Sequence, residues 1–434
     1  MATNVLQVGG WFLLTTLIAR ALGPERKGVF DLYTTTASLL MTFLSMSITS
    51  GIVYVTASTS VNLSRLTGHV FLFAIAQGVV GFVGMQLVKS TAMGRAVMPA
   101  ASGEWAPLLI GALVMALALS SMLRAVLSGL RLFITANHVD LAKQCVGIAV
   151  TATALLLARI HGTSLVIAVF LAHVVTALIA AAAYCWSIPR HVPVSTSASG
   201  LRASFTYSTT AHAGTIVQFL NYRLDVFFVS ALAGSTAVGI YQTAVMLAQS
   251  LSLLPNAVQG LLFPTVASQS RDHRATVLLL AQATRLLTLV NLAGGLLWAT
   301  IAPWAIPLAF GESFAGSVSA LMWLLPGAVA FATNTVLAGF FAGIGKPRLN
   351  VLAAVVGLAF TVPLDLVLIP VWGIDGAAIA SSVSYVASST ATAVLFVRET
   401  GLGIGSLFIL KREDLVLVGR LAARSTELLR SAGP

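Results

Sequence analysis

The feature that most restricts this chain is a succession of apolar runs, each about 20 residues long, separated by short breaks rich in Gly, Pro, Ser and charge. Runs of that length suit a bilayer, whose hydrocarbon core is crossed by roughly 20 apolar residues of helix. Nothing in hydrocarbon satisfies a bare backbone group, so such a run must be helical. Twelve spans are predicted, near residues 5–22, 30–56, 67–88, 106–129, 139–159, 163–187, 204–232, 238–262, 276–301, 315–342, 349–369 and 373–397. Only 9% of residues are charged, against about 25% in soluble domains. The expected fold class is an all-α polytopic membrane protein of about twelve transmembrane helices, in two pseudo-symmetric six-helix lobes around a central cavity.

A polar linker, "IPRHVPVSTSASGLR" at 188–202, divides the spans six and six. The expected domains are an N-lobe at 1–187, the linker, a C-lobe at 203–397 and a basic tail at 398–434. Within the tail, 412–430 reads as an amphipathic helix on the membrane surface, with Leu415, Val418, Leu421 and Leu428 on one side. Met1 to Ala19 has no basic region ahead of its apolar part, so it reads as a first span rather than a signal peptide. With the amino terminus inside, 17 of the 24 Lys and Arg lie in inner segments and the tail, six lie outside (Lys27 among them), and Arg223 lies within a span. By the positive-inside rule both termini are cytoplasmic. The net charge of +11 is then explained by topology, and no nucleic-acid partner is expected. Cys145 and Cys185 give neither a disulfide nor a metal-site spacing.

The two halves look related. Gly28-Val29-Phe30 precedes Gly239-Ile240-Tyr241 by 211 residues, while Gly129 and Gly162 precede Gly343 and Gly376 by 214. An even number of spans separates the copies, so the repeats run parallel, as in carriers that open to each side in turn. Polar residues follow the repeat. Asp31, Ser38, Thr42, Ser45 and Thr49 share one helix face, as do Gln242, Gln249, Ser252, Asn256 and Gln259, and as do Gln218, Asn221 and Asp225. These stripes are expected to line a hydrated cavity. Interhelical hydrogen bonding is the alternative.

Ionisable residues within spans are functional candidates, because placing one there costs at least ~2.5–3.5 kcal/mol. Arg223 and Asp225 are two apart in sequence, hence about 200° apart on a helix, and cannot form a simple pair. Arg285 lies ten residues into the ninth span, Arg124 near the inner end of the fourth, and Arg20 at the end of the first.

"ARALGPERKGVFDL", "DVFFVSALAGSTAVGIYQTA", Phe263-Pro264, "AGFFAGIGKPRLNV" and "DLVLIPVWGIDGAAIASSVSY" occur in order at helix junctions over about residues 10–397. Together they resemble the oligosaccharide flippase family, the polysaccharide-transport branch of the multidrug/oligosaccharidyl-lipid/polysaccharide exporter superfamily. The resemblance implies a bacterial inner-membrane protein that flips undecaprenyl-diphosphate-linked oligosaccharide outward for O-antigen, capsule or exopolysaccharide assembly. Membrane lipid is its surroundings, and polysaccharide polymerase or glycosyltransferases are implied partners. Arg285, Arg223, Arg124 and Arg20 then become candidates for neutralising a lipid diphosphate, since a planar guanidinium matches phosphate oxygens. Asp225 and Asp31 either couple a proton or sodium ion or serve as partners for the arginines. No other cofactor and no metal is expected. The chain departs from the family in a short first helix, which suggests a late start, and in Asp365, where Asn is commoner.

An enzyme is not expected, since no G-x-S-x-G, H-E-x-x-H or P-loop occurs. The rival readings are a cation-coupled drug exporter or a lipid II flippase of the same superfamily, and a non-transporting scaffold of a polysaccharide assembly complex.

Overall fold

The computed structural model describes residues 2–46, 48–58, 63–98, 104–188, 198–268, 273–409, 411, 413 and 414. The middle of the expected linker, 189–197, lies outside these residues, as does all but 413–414 of the expected surface helix. The described residues contain helices and no strands: α1 (Ala2–Leu44), α2 (Ile48–Ser58), α3 (Leu63–Val88), α4 (Ala92–Val97), α5 (Ala106–Gly129), α6 (Phe133–His161), α7 (Leu165–Ser187), α8 (Ala198–Gln249), α9 (Leu253–Ser268), α10 (His273–Phe310), α11 (Ser317–Gly343), α12 (Arg348–Thr400) and α13 (Gly405–Phe408). Among the described residues, nine helices are long and apolar enough to cross a membrane.

Three of these nine are two spans joined at a glycine. The joints are Gly23 in α1 (φ 70°, ψ 174°), Gly234 in α8 (φ 82°, ψ 176°) and Gly373 in α12 (φ 56°, ψ −130°). Only glycine enters these regions without a Cβ clash. Pro24 follows the first bend at the opening of the next helical segment, where its missing N–H costs nothing. Dividing the helices at the three bends gives the twelve spans expected.

The bends also show the internal repeat. Gly234 follows Gly23 by 211 residues with nearly the same φ and ψ. Gly373 follows Gly162, the left-handed cap of α6, by the same 211. The sequence comparison matches Gly162 with Gly376; the structure places the second bend three residues earlier, at the common offset. The joint between the fourth and fifth spans keeps the offset of 214: Arg131 (φ 60°) corresponds to Gly345 (φ 74°). The same bonds close both turns, Leu132 N to Leu127 O and Lys346 N to Phe341 O among them.

The chain forms two compact units. Unit 1 comprises Met1–Ala244, Pro303–Ala320 and Leu364–Ala377; unit 2 comprises Val245–Ala302, Leu321–Pro363 and Ala378–Pro434. Both halves of the sequence contribute to unit 1, so the units do not coincide with 1–187 and 203–397. In unit 1, α5 is the central helix, packed by α1, α2, α3 and α7, and its buried face runs from Ala106 to Gly129. Lipid tails are as apolar as these side chains, so close packing and interhelical hydrogen bonds do more than hydrophobic burial to hold such helices together. In unit 2, Thr392 Oγ1 donates to Asn334 Oδ1 at 2.6 Å and Gly327 N donates to Ser382 Oγ at 2.7 Å. Phe340, Phe341 and Phe396 form its apolar centre.

The repeat-related joints touch within unit 1. A Cβ on Gly28 would lie 1.7 Å from the Ser235 carbonyl oxygen, and one on Gly239 would lie 2.0 Å from that of Pro24. Both obstacles are backbone, so neither can rotate away. Gly28→Ala and Gly239→Ala are therefore expected to lower the Tm of the detergent-solubilised protein. Gly68→Ala, at a helical position with open space around it, should leave Tm unchanged or slightly raised. Thermal-shift fluorimetry on the three variants checks this.

Candidate functional site

The Gly234 bend answers the problem posed by Arg223 and Asp225. In a straight helix Tyr241 would lie about 24 Å from Asp225. The bend brings it back, so that Tyr241 Oη donates to Asp225 Oδ2 at 2.5 Å while Val226 N donates to Oδ1 at 2.8 Å. The next residue serves the other charge: Arg223 Nη1 donates to Gln242 Oε1 at 3.3 Å. Gln242 Nε2 in turn donates to Thr35 Oγ1 of α1 at 3.4 Å. Two charges on opposite sides of one helical segment thus find consecutive partners on the next.

Thr35 continues a stripe on α1 with Lys27 and Asp31, at helical spacing of four. Lys27 Nζ donates to Asp31 Oδ2 at 2.5 Å, and Lys27 is only 2% exposed. This corrects two expectations. Lys27 is buried in a helix and not part of an outer loop, and the partner of Asp31 is this lysine and not an arginine. Arg223 also lies within electrostatic range of Asp31. The cluster therefore holds two cations, Lys27 and Arg223, against the one carboxylate of Asp31. Sequence reading missed Lys27 and Thr35 because the charge density of "PERKG" looked like a loop; the signal was the four-residue spacing from Lys27 to Asp31.

Asp365 is a further carboxylate of unit 1, one that sequence reading left without a role. It is fully buried, and neither of its oxygens has a hydrogen-bond partner among the described residues. It lies within electrostatic range of Asp225. A buried charge without a partner costs several kcal/mol, which a proton or a small cation would relieve. Among the described residues no three His, Cys, Asp or Glu side chains converge as a metal set.

The remaining arginines are dispersed. Arg20 donates through Nε to Ala309 O at 2.7 Å and through Nη2 to Leu308 O, at the carboxyl end of α10. A cation suits those open carbonyls. The arginine edges an open groove with Trp304 and Glu312. Arg124 of α5 pairs with Asp140 of α6 at 2.9 Å, and Tyr184 of α7 donates to the same carboxylate at 2.5 Å. Arg285 of α10 is 5% exposed and forms a bidentate pair with Asp414, with N–O distances of 2.6 and 2.9 Å. That hydrogen-bonded guanidinium holds the Asp414 carboxyl down at about 2. Of the four arginines singled out by sequence, Arg223 stands with Lys27 about Asp31 and Arg124 with Lys143 about Asp140, two cations to one carboxylate in each case, while Arg20 and Arg285 have separate partners.

The polar stripes are also sorted. Ser38 and Ser45 bond back to carbonyls of their own helix, Thr34 O at 2.8 Å and Thr42 O at 3.1 Å. Gln218 is exposed and donates to Tyr222 Oη at 2.7 Å. Asn221 and Gln242 are buried. In unit 2, Gln249 and Gln259 are half-buried and Asn256 is exposed.

A family profile described as polysaccharide biosynthesis protein matches residues 17–319. Lipid II flippase MurJ of Bacillus subtilis (strain 168) is 33% identical over 98 residues, which is 23% of this chain and 18% of that protein. The match thus spans under a fifth of the length of that curated relative. A solved structure of lipid II flippase MurJ in an inward closed conformation superposes with a TM-score of 0.69 at 13% identity, covering 97% of this chain and 91% of the other. An outward-facing multidrug resistance MATE family transporter of the MOP superfamily superposes with a TM-score of 0.60 at 15% identity, covering 92% and 95%. The fold is therefore that of these two solved structures, and with nine helices among the described residues long and apolar enough to cross a membrane the chain is a multi-pass membrane protein. The profile match, which spans well over half of the chain, places it in the polysaccharide biosynthesis protein family.

Proposed function

We propose that the protein is a flippase that carries undecaprenyl-diphosphate-linked oligosaccharide from the inner to the outer leaflet of a bacterial inner membrane by alternating access. On this reading both termini are cytoplasmic and the product feeds surface polysaccharide assembly. The observation that carries the reading is the placing of two cations, Lys27 and Arg223, about the one carboxylate of Asp31, with Lys27 buried. A lone surplus cation in hydrocarbon is costly, and a diphosphate supplies what it lacks. The surplus is small, which suits a carrier that must also let its passenger go. An inside-negative potential favours outward movement of the headgroup by ~2.3 kcal/mol per charge at 100 mV. Asp225 and Asp365 are the proposed carboxylates for coupling to a proton or sodium ion. The fold match to a lipid II flippase supports lipid II as the second substrate reading, since its headgroup offers the same diphosphate chemistry.

Proteoliposomes containing labelled lipid-linked oligosaccharide and labelled lipid II test both readings. Faster transport of the oligosaccharide is expected, slowed when the imposed potential is reversed. An unchanged rate on reversal excludes an electrophoretic drive, and preference for lipid II exchanges the substrate assignment.

The cluster itself is tested by Arg223→Gln and by Lys27→Met, each of which cancels the surplus charge and leaves Asp31 one cation within range. Loss of a charge-assisted hydrogen bond is worth about 1.5–3 kcal/mol, so flux at low substrate should fall about tenfold or more in each variant. Wild-type flux in both, with normal insertion, rules the cluster out as the diphosphate site.

Water access is measurable separately. In a Cys145→Ser/Cys185→Ser background, cysteines at positions 218, 249 and 256 are expected to react with a soluble thiol reagent. Inert cysteines at all three positions would remove the hydrated passage the flippase reading requires.

A further inference from the structure

Unit 2 contains a buried guanidinium whose counter-charge comes from outside the spanning helices. Arg285 has no acidic residue on its own helix, and α11 has none either. The carboxylate on α12 at the same end, Glu399, is bonded to Lys346. Arg285 is instead neutralised by Asp414, beyond the last span, in the two-pronged geometry that a guanidinium also offers to phosphate. Its remaining Nη1 donates to Ser406 O of α13 at 2.5 Å. The tail thus takes up the whole face of the guanidinium.

The segment carrying Asp414 has two buried anchors, Leu407 and Asp414 itself, which the Gln282 side chain of α10 also hydrogen-bonds, and exposed residues between and beside them. Leu407 of α13 is fully buried in the apolar centre of unit 2, while Phe408 and Ile409 are 48% and 68% exposed and Lys411 and Glu413 are exposed. Lys411 N donates to Asp414 Oδ2 at 2.8 Å, a local turn that presents the carboxylate. If this segment lifts, Arg285 is left as a buried cation with no acid near it on α10 or α11, a strongly unfavourable state. An external anion with paired oxygens removes that penalty.

We propose that Arg285 is an anion site for phosphate-bearing ligands and that Asp414, brought by the tail, is its intramolecular occupant, so that tail docking and diphosphate binding exclude one another. The flippase reading bears on this only in naming a lipid diphosphate as the natural competitor. The switch works by competition and not by titration. Asp414 is held ionised down to about 2, so the stability it contributes is fully present above the ordinary carboxylate value of about 3.9. That contribution is lost only as pH falls toward the lowered value, and docking does not change across the neutral range.

The test uses the full chain in detergent and measures binding of inorganic pyrophosphate and of farnesyl diphosphate by calorimetry. The proteins compared are the wild type, Asp414→Asn and Arg285→Gln/Asp414→Asn. Asp414→Asn should strengthen diphosphate binding at least about tenfold, and the double variant should lose the gain. A gain confined to farnesyl diphosphate identifies a lipid headgroup as the ligand; an equal gain for both probes identifies a free phosphate group. Unchanged binding in a folded Asp414→Asn protein overturns the proposal and leaves the pair as a tail anchor. If Asp414→Asn does not fold, Leu407→Ala loosens the same segment with both charges kept; it should show the gain, and its failure to do so also overturns the proposal. Because the readout is binding, absent flux in the wild type would defeat the flippase reading without touching this one.

Discussion

A charge inside an apolar bundle needs a partner within reach, and a straight helix offers partners only three or four residues away. The bend at Gly234 lifts that limit. It returns the chain so that residues 16 and 19 positions onward meet Asp225 and Arg223. The consecutive pair Tyr241 and Gln242 can then serve two charges that point in opposite directions. The bend needs φ 82° with an extended ψ, which any Cβ would oppose. Placing Arg223 and Asp225 in the same span is affordable only because the chain turns back a few residues later. The close approach of Gly28 and Gly239 belongs to the same construction, for it sets α1 beside α8 and brings Thr35 to Gln242.

The repeat is kept in the backbone and dropped in the charges. Gly23 and Gly234 share their dihedral angles, and the turns around Arg131 and Gly345 share their hydrogen bonds. Yet the position 211 residues before Arg223 is Phe12, and that before Asp225 is Leu14. Duplicated geometry gives two copies of a frame; unequal charge gives them different work. On the flippase reading, Arg223 of the second copy joins Lys27 and Asp31 of the first, while the carboxylates Asp225 and Asp365 belong wholly to the second.

Much of this was legible in the sequence because the bilayer imposes long-range regularity. Span number followed from run length, and the repeat followed from glycine spacing, since glycine marks bends that no other residue tolerates. The correspondence of Gly162 slipped to Gly376 because two glycines lie three apart and sequence alone does not say which one bends. The charges were harder to read. "PERKG" has the composition of a loop, yet Pro24 opens a helix and Lys27 is buried one turn before Asp31. Arg285 was read as a cavity cation because its partner lies 129 residues away in the tail, a separation no periodicity reveals. Asp365 was noticed only as a departure from a resemblance, whereas its isolation from hydrogen-bond donors is visible only in three dimensions.

The cations of the bundle form a graded series. Arg20 is spent on helix-end carbonyls, Arg124 on a carboxylate only 21% exposed that has Lys143 in range as well, and Arg285 on a carboxylate that is itself fully buried. Lys27 and Arg223 share one. On the flippase reading, a carrier of anions requires such unevenness. Cations that stay fully neutralised give a diphosphate no reason to leave water, and fully unpaired ones would destabilise the empty protein and retain the passenger. Within unit 1 that intermediate condition is met about Asp140 and, deeper, where α1 and α8 meet, and the cluster at α1 and α8 consists of residues that each already have a polar neighbour. A passenger would therefore exchange partners with the site instead of filling a void, and exchange is what allows it to be released on the other side.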